Sequence, residues 1–434
     1  MMHGVVASLK MSRQRVESKQ RKQAAGGRWQ AAQRRRRRGR AFSPELEQTL
    51  DQVLAVLGRL CPDLRKWLAL NLAILTVGML QLWRGARSGN GYLTLCALSR
   101  AMPLEEDEKA RSKRLYRLLR NRFLEGPEMT PLLILLAVGP AAKGWIPIVV
   151  DQTTIRGTPT LMAGVRISNR ILPVAFVCFE YDKLRKSQNA AEEGLLALVA
   201  ASLPLGCKPL YVMDRGYARA SLLCVLRRLG IPYLIRGRKN TMVVVGSRRM
   251  LLGRVRHRKG KAARYCNVAY QDEKRERVDL VVFHDPTFKE PWYLLVPPDS
   301  AGSLSTEEVV QLYRQRMHIE LTFRDWKTHL GVRGLHLEVD IAPRLGRLLM
   351  VLTVAYILTV LLGSGPAAGR VRQDCEILRT SPRHGTRRRL SALSVGILLI
   401  SLSRFASLAE QALIDLLALL GRGKAASGAA TSPP

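Results

Sequence analysis

The chain has 434 residues, 47% of them hydrophobic, and sets 70 Lys and Arg against 34 Asp and Glu for a net charge of +36. That length and apolar content allow two to four structural units around a sizeable core and exclude a wholly disordered chain. The charge far exceeds what solubility needs and implies a polyanionic partner, either nucleic acid or an anionic membrane.

Residues 1–42 form a basic arm with the uninterrupted run Arg34–Arg38 and no apolar pattern, so disorder is expected there. The arm suits tracking of phosphates by counterion release. The alternative, of equal weight, is that the arm comes from a start codon placed too early, since Ser43-Pro44-Glu45 reads as a helix N-terminus just after it. It lacks the apolar stretch of a signal peptide. Residues 43–140 are helical in period, over Leu46–Leu60, Leu64–Trp83, Tyr92–Met102, Lys109–Leu124 and Pro131–Val138, and read as a helical DNA-binding region. The fourth of these helices gathers Leu115, Leu118, Leu119 and Phe123 on one face and rings them with cations. Arg114 and Arg117 are the candidate DNA contacts there, against the alternative of a solvated helix in a basic protein.

Next come a short β run, Ile146–Val150, ending in Asp151, and a hairpin of Leu161–Ser168 with Ile171–Phe179. A helix over Ala190–Leu203 leads to a buried strand, Leu210–Met213, that ends in Asp214; the helix Arg219–Leu229 and the strand Tyr233–Arg236 follow. An acid after a strand is a common turn residue, but here the first and fourth strands both end in one. The order β-β-β-α-β-α-β resembles the ribonuclease H-like arrangement, in which those two strands are neighbours. The segment 239–298 is strand-rich, with runs at Met242–Val245, Met250–Arg256, Ala263–Tyr270, Val278–His284 and Trp292–Val296, and has basic loops.

Ser305–Gly331 carries the most chemistry. Ser305 with Glu308 forms a capping box and Gly331 sits at a C-cap position, so one long helix is predicted. At about 100° per residue, Tyr313, Arg316, Glu320 and Lys327 share a sector of roughly 60° beside an apolar flank of Leu312, Ile319, Phe323, Trp326 and Leu330. Alone, such a stripe is explained by a solvated face. With Asp151 and Asp214 at two strand ends, Glu320 becomes the third of three converging carboxylates. Oxygen ligands without His or Cys suit Mg2+ (or Mn2+), and two such ions per site clamp an in-line phosphoryl displacement.

After the long helix come an apolar helix over Leu345–Leu362, a polar connector with the run Arg387–Arg389, a helix pair over Leu390–Leu420, and a tail over 421–434 expected to be disordered. The apolar runs Leu348–Leu362 and Trp67–Leu82 read as too short or interrupted for a membrane span of ~20 residues, so both are expected to be buried and no membrane partner is expected. Seven scattered cysteines with no C-x-x-C pair imply a reducing cytosol and no structural zinc.

The spacing Y-x2-R-x3-E-x6-K over Tyr313, Arg316, Glu320 and Lys327, with Asp151 and Asp214 upstream, resembles the signature of bacterial insertion-sequence transposases of the DDE type. The likeness is to insertion-sequence family four, which includes the transposon-five transposase, and covers residues 146–362. It implies that Asp151, Asp214 and Glu320 are catalytic and bind the metals, and that Tyr313, Arg316 and Lys327 hold DNA phosphates. It also implies that Arg236 binds phosphate and that Trp292 stacks a flipped base; the alternative for Trp292 is a core strand residue. Met317 stands where base-flipping relatives often have a second Trp.

The fold expected is α/β. It has a ribonuclease H-like catalytic core over 141–238 and 299–365, a β-strand insertion over 239–298, the helical N-terminal region over 43–140 and C-terminal helices over 366–420. The expected activity is cut-and-paste transposition of an insertion sequence, by metal-dependent strand cleavage and strand transfer at its inverted terminal repeats. A homodimer in a synaptic complex would hold double-stranded transposon ends and target DNA, in a cytoplasmic, nucleoid-associated location. The alternative is a catalytically silent protein that occupies transposon ends and inhibits transposition.

Overall fold

The structure, a computed structural model, describes residues 44–61, 64–85, 93–139, 142–183, 187–271, 276–332, 335, 342–377 and 389–425. The basic arm over 1–42, Arg387 and Arg388 of the connector and residues 426–434 of the tail lie outside that set.

The described chain opens with α1 (Pro44–Leu60), α2 (Lys66–Gly85), α3 (Leu95–Ala101), α4 (Glu108–Leu119) and α5 (Gly126–Val138). Capping follows local chemistry: Thr94 accepts from the Ala97 amide to start α3, and Asp107 from the Ala110 amide to start α4. The predicted extension of α4 to Leu124 does not form. Asn121 diverts the backbone by accepting from the Phe123 amide with its side chain and from the Leu124 amide with its carbonyl.

Ten strands follow: β1 (Gly144–Ile155), β2 (Thr158–Ile167), β3 (Arg170–Cys178), β4 (Cys207–Met213), β5 (Tyr233–Arg236), β6 (Met242–Val245), β7 (Arg248–Leu251), β8 (Ala262–Tyr270), β9 (Glu276–Phe283) and β10 (Trp292–Val296). Two helices, α6 (Gln188–Ser202) and α7 (Ala220–Arg228), link β3 to β4 and β4 to β5. Among the described residues all ten strands lie in one sheet, in the order β3-β2-β1-β4-β5-β10-β9-β8-β6-β7. β1, β4 and β5 run parallel, and β2 and β3 fold back antiparallel. β1 continues to Ile155, past its predicted end at Val150, by pairing with β2. Arg156 (φ 47°) and Gly157 (φ 78°) make the turn, both left-handed, as a two-residue hairpin requires. The segment 239–298, expected to be an insertion, continues the same sheet, because β10 pairs with β5 through Leu294↔Arg236 and Leu295↔Ile235.

Beyond the sheet come α8 (Thr306–Arg316), α9 (His318–Arg324), a π-helical turn over Asp325–His329, α10 (Ala342–Ser364), α11 (Ala368–Cys375), α12 (Ala392–Ser401) and α13 (Ala406–Ala425). α11 occupies part of the expected polar connector, and α13 runs beyond Gly421, where disorder is expected. α2 and α10, at 20 and 23 residues, are long and apolar enough to cross a membrane by length and composition. That corrects the expectation that these runs are too short. In this fold they are core: every residue from Leu348 to Val360 is buried, and α10 packs against α2, α5, α12 and β3. Gly363 and Gly396 make the α10–α12 approach possible, since a Cβ on either would meet the backbone carbonyl of Ala392 or Thr359.

Candidate active site

The last paired residues of the parallel strands β1 and β4 are Val150 and Met213. The next residue on each is an acid, so Asp151 and Asp214 leave the same level of the sheet side by side. Ile148–Val150 and Leu210–Met213 are buried, and each carboxylate is the first polar group where its strand emerges from the core. β1 continues beyond Asp151, whereas at Asp214 the chain turns into a single 3-10 turn, Arg215–Tyr217.

α8 opens with the predicted capping box: the Ser305 hydroxyl accepts from the Glu308 amide at 3.2 Å, and the Glu308 carboxylate accepts from the Ser305 amide at 2.8 Å. Tyr313 and Arg316, three residues apart and so on one face, each engage one acid. The Tyr313 hydroxyl donates to Asp214 Oδ1 at 3.3 Å, and Arg316 Nη1 donates to Asp151 Oδ2 at 2.7 Å. Gly331 has the left-handed φ of 74° that a C-cap predicts. Between these ends the single long helix is not continuous. Met317 caps both α8 and α9, and the last turn widens into the π form at Asp325–His329. The widening falls where the helix is pinned to β3. Arg170 Nε donates to Asp325 Oδ2 at 2.5 Å, Tyr356 adds a bond to the same oxygen at 3.1 Å, and the Thr322 hydroxyl bonds both the amide and the carbonyl of Ile171.

Glu320 lies in the first turn of α9 with an exposed side chain. Burial pushes the Asp151 carboxyl above its ordinary value; Arg316 and the Gln152 amide pull it back, and Asp214 and Glu320 add to the rise. Asp214 and Glu320 are thus near enough for their charges to raise the Asp151 carboxyl. Burial also pushes the Tyr313 hydroxyl up to about 12, so it keeps its proton and acts as a donor at neutral pH. All-oxygen donor chemistry fits a hard divalent cation. In the arrangement seen, however, Arg316 supplies the positive charge at Asp151, and among the described residues no three His, Cys, Asp or Glu side chains are set to grip one ion.

The remaining sequence candidates fall in different places. Lys327 is half-buried in the π-helical turn. Arg236 ends β5 near the acids, with a side chain 20% exposed and 3.8 Å from Glu290. Trp292 is buried, its ring T-shaped against Tyr313 at 5.1 Å and packed on Phe288 and Phe283 at 5.5 and 5.9 Å. In this setting it is the core residue of the alternative reading, and it offers no open ring face to a base. Arg114 is tied down by Glu106 at 2.6 Å and Asn71 at 3.1 Å, so it braces α4 on α2 instead of facing outward; Arg117 is exposed.

The sequence reading missed the groups that support Asp151 from the other side. Gln152 accepts from Gln188 at 2.8 Å, Gln188 also donates to the buried Glu192 at 2.9 Å, and Glu192 pairs with Arg219 at 2.5 Å. Burial holds the Tyr217 phenol well above its ordinary value, and Asp151, Glu192 and Asp214 add to that. A signal was present, since Glu192 lies among the buried apolar positions of α6.

No curated protein matches the chain. Among solved structures, the piggyBac transposase synaptic complex with hairpin DNA is similar at a TM-score of 0.40 and 11% identity, over 87% of this chain and 83% of that one. A likeness that low bears on neither the fold nor the chemistry of this chain. The family model described as a transposase DDE domain matches residues 147–357. That stretch runs from β1 into α10 and contains both strand-end acids and the helix that bonds to them. Over residues 147–357, just under half of its length, the chain is similar to a transposase DDE domain.

Proposed function

We propose that the chain is the transposase of a bacterial insertion sequence carrying the Y-R-E-K signature, with a ribonuclease H-like core, and that it moves its element by cut-and-paste transposition. The observation that carries this reading is the pairing of Tyr313 with Asp214 and Arg316 with Asp151 at the edge where β1 and β4 end. It supports Asp151 and Asp214 as acids that would hold divalent cations, Mg2+ or Mn2+, and the rise that the Glu320 charge causes at Asp151 supports Glu320 as the third. When bound, such ions lower the cost of forming the attacking and leaving oxygens at phosphorus. The protein's own groups do the rest. Arg316 exchanges its carboxylate for an oxygen of the scissile phosphate, Lys327 and Tyr313 orient the same strand, and Arg236 takes a neighbouring phosphate. In cleavage, a water oxygen bonds to phosphorus as the P–O3′ bond breaks and the 3′-oxygen takes up a proton. In strand transfer, that 3′-hydroxyl attacks a target phosphodiester and a new 3′-end leaves. Two copies acting on paired inverted repeats, in the nucleoid, complete the proposal.

The test is cleavage of DNA bearing the element's inverted ends with Mg2+ or Mn2+. The wild type should cut, and Asp214→Ala should bind but not cut. A wild type that binds the ends and never cuts would favour the silent end-binding inhibitor instead.

A further inference from the structure

We propose that the cleft on the Asp214 side of the site is a groove for a phosphodiester strand, and that Glu290 stands in it as an internal counter-ion which a strand phosphate displaces. The proposal rests on the transposase reading and adds a binding surface to it. The cleft holds about 680 Å³ and is bordered by Asp214 and by four cations, Arg215, Arg236, Arg238 and Lys239. That is far more room than one phosphate needs. With the acid among its walls, a strand cut beside Asp214 would run on past Lys239.

Glu290 lies among these cations. Its carboxylate accepts from Lys239 Nζ at 2.8 Å and sits 3.8 Å from Arg236 Nη2. The Lys239 bond, with Arg236 and Arg215 adding to it, holds the Glu290 carboxyl below its ordinary value. Lys239 and Glu290 are 68% and 46% exposed, and an ion pair that wet has little net strength. A phosphodiester presents the same pair of anionic oxygens and arrives in multiples along a strand, so it competes well for the same cations. Arg238 has another task. It donates to the carbonyls of Arg215 and Gly216 at 3.0 and 3.3 Å, and so holds the turn that follows Asp214 against the groove wall.

The experiment measures affinity of the full chain for labelled DNA with a single-stranded overhang, across a salt titration, for Glu290→Gln, Lys239→Ala and Lys208→Ala. Lys208 is the control, a cation at the opposite end of β4. Glu290→Gln should bind about 3- to 10-fold more tightly at low salt. Lys239→Ala should bind about 3- to 10-fold more weakly, with the salt slope reduced by about 1, as loss of one phosphate contact requires. Lys208→Ala should match the wild type. If the first two variants move no further than Lys208→Ala, the groove is overturned, whether or not the wild type cuts DNA. Failure of the transposase reading would show separately, as a wild type that never cuts. Both groove variants alter exposed side chains, and a thermal melt confirms that they fold.

Discussion

Two arginine–aspartate pairs tie the helical segment Thr306–His329 to the sheet, and water reaches them differently. Arg170 and Asp325 have side chains 6% and 1% exposed, with Tyr356 donating to one carboxylate oxygen and His329 4.0 Å from the other. Arg316 is equally enclosed at 6%, but its partner Asp151 is 20% exposed, beside Asp214. The chemistry is the same and the consequences are not. A sealed pair holds the helix in register, because nothing from solution can replace either partner without opening the core. A pair with one open end can trade its carboxylate for a phosphate or its guanidinium for a cation.

Asp325→Ala should destabilise most. It strands the Arg170 charge in the core, at a cost of about 3 to 5 kcal/mol, read from the denaturant midpoint at unchanged slope. A variant as stable as the wild type would erase the distinction between the two pairs. Arg316→Met should do the opposite: lose at most about 2 kcal/mol of stability yet cut DNA at least about 100-fold more slowly, as removal of a preorganised charge does. Normal cleavage by a badly destabilised Arg316→Met protein would reverse the two roles. Tyr356→Phe removes one bond from the sealed pair and should cost about 1 to 2 kcal/mol, with cleavage unchanged when assayed well below the melting temperature.

The smallest effect belongs to the fully exposed end of the same helix. The bond from the Ser305 amide holds the Glu308 carboxyl below its ordinary 4.5. A depressed carboxylate stabilises the fold above its unfolded value and loses that contribution as the pH falls through the folded one. Glu308→Gln should therefore melt slightly below the wild type at neutral pH, and the two curves should converge as the pH drops below 4.5. A gap that stays constant down to strongly acid pH would mean that the capping charge contributes nothing.

Much of the site was legible because it is written locally. Val150 and Met213 each end an apolar run and an acid follows, which marks a strand leaving the core. The strands Tyr233–Arg236, Met242–Val245 and Trp292–Val296 form with the bounds their apolar runs predict. The polar tail of β1, Gln152–Thr154, was not legible, since its strand character comes from pairing with β2 and not from its own composition. Nor was the role of Arg114, whose position on a basic helix face looks the same whether it meets DNA or, as here, Glu106 and Asn71.

The sequence by itself determined the two acids at strand ends, the capping box at Ser305, the C-cap at Gly331 and the face shared by Tyr313 and Arg316. All of these follow from preferences that act over a few residues. The tertiary structure alone decided that Arg316 bonds Asp151, 165 positions away, that Tyr313 bonds Asp214, 99 away, and that Arg170 finds Asp325 across 155 residues. It also broke the long helix at Met317 and joined β10 to β5. Such pairings depend on strand order and register, which set where distant side chains meet and how much water is left between them. No local pattern carries that information.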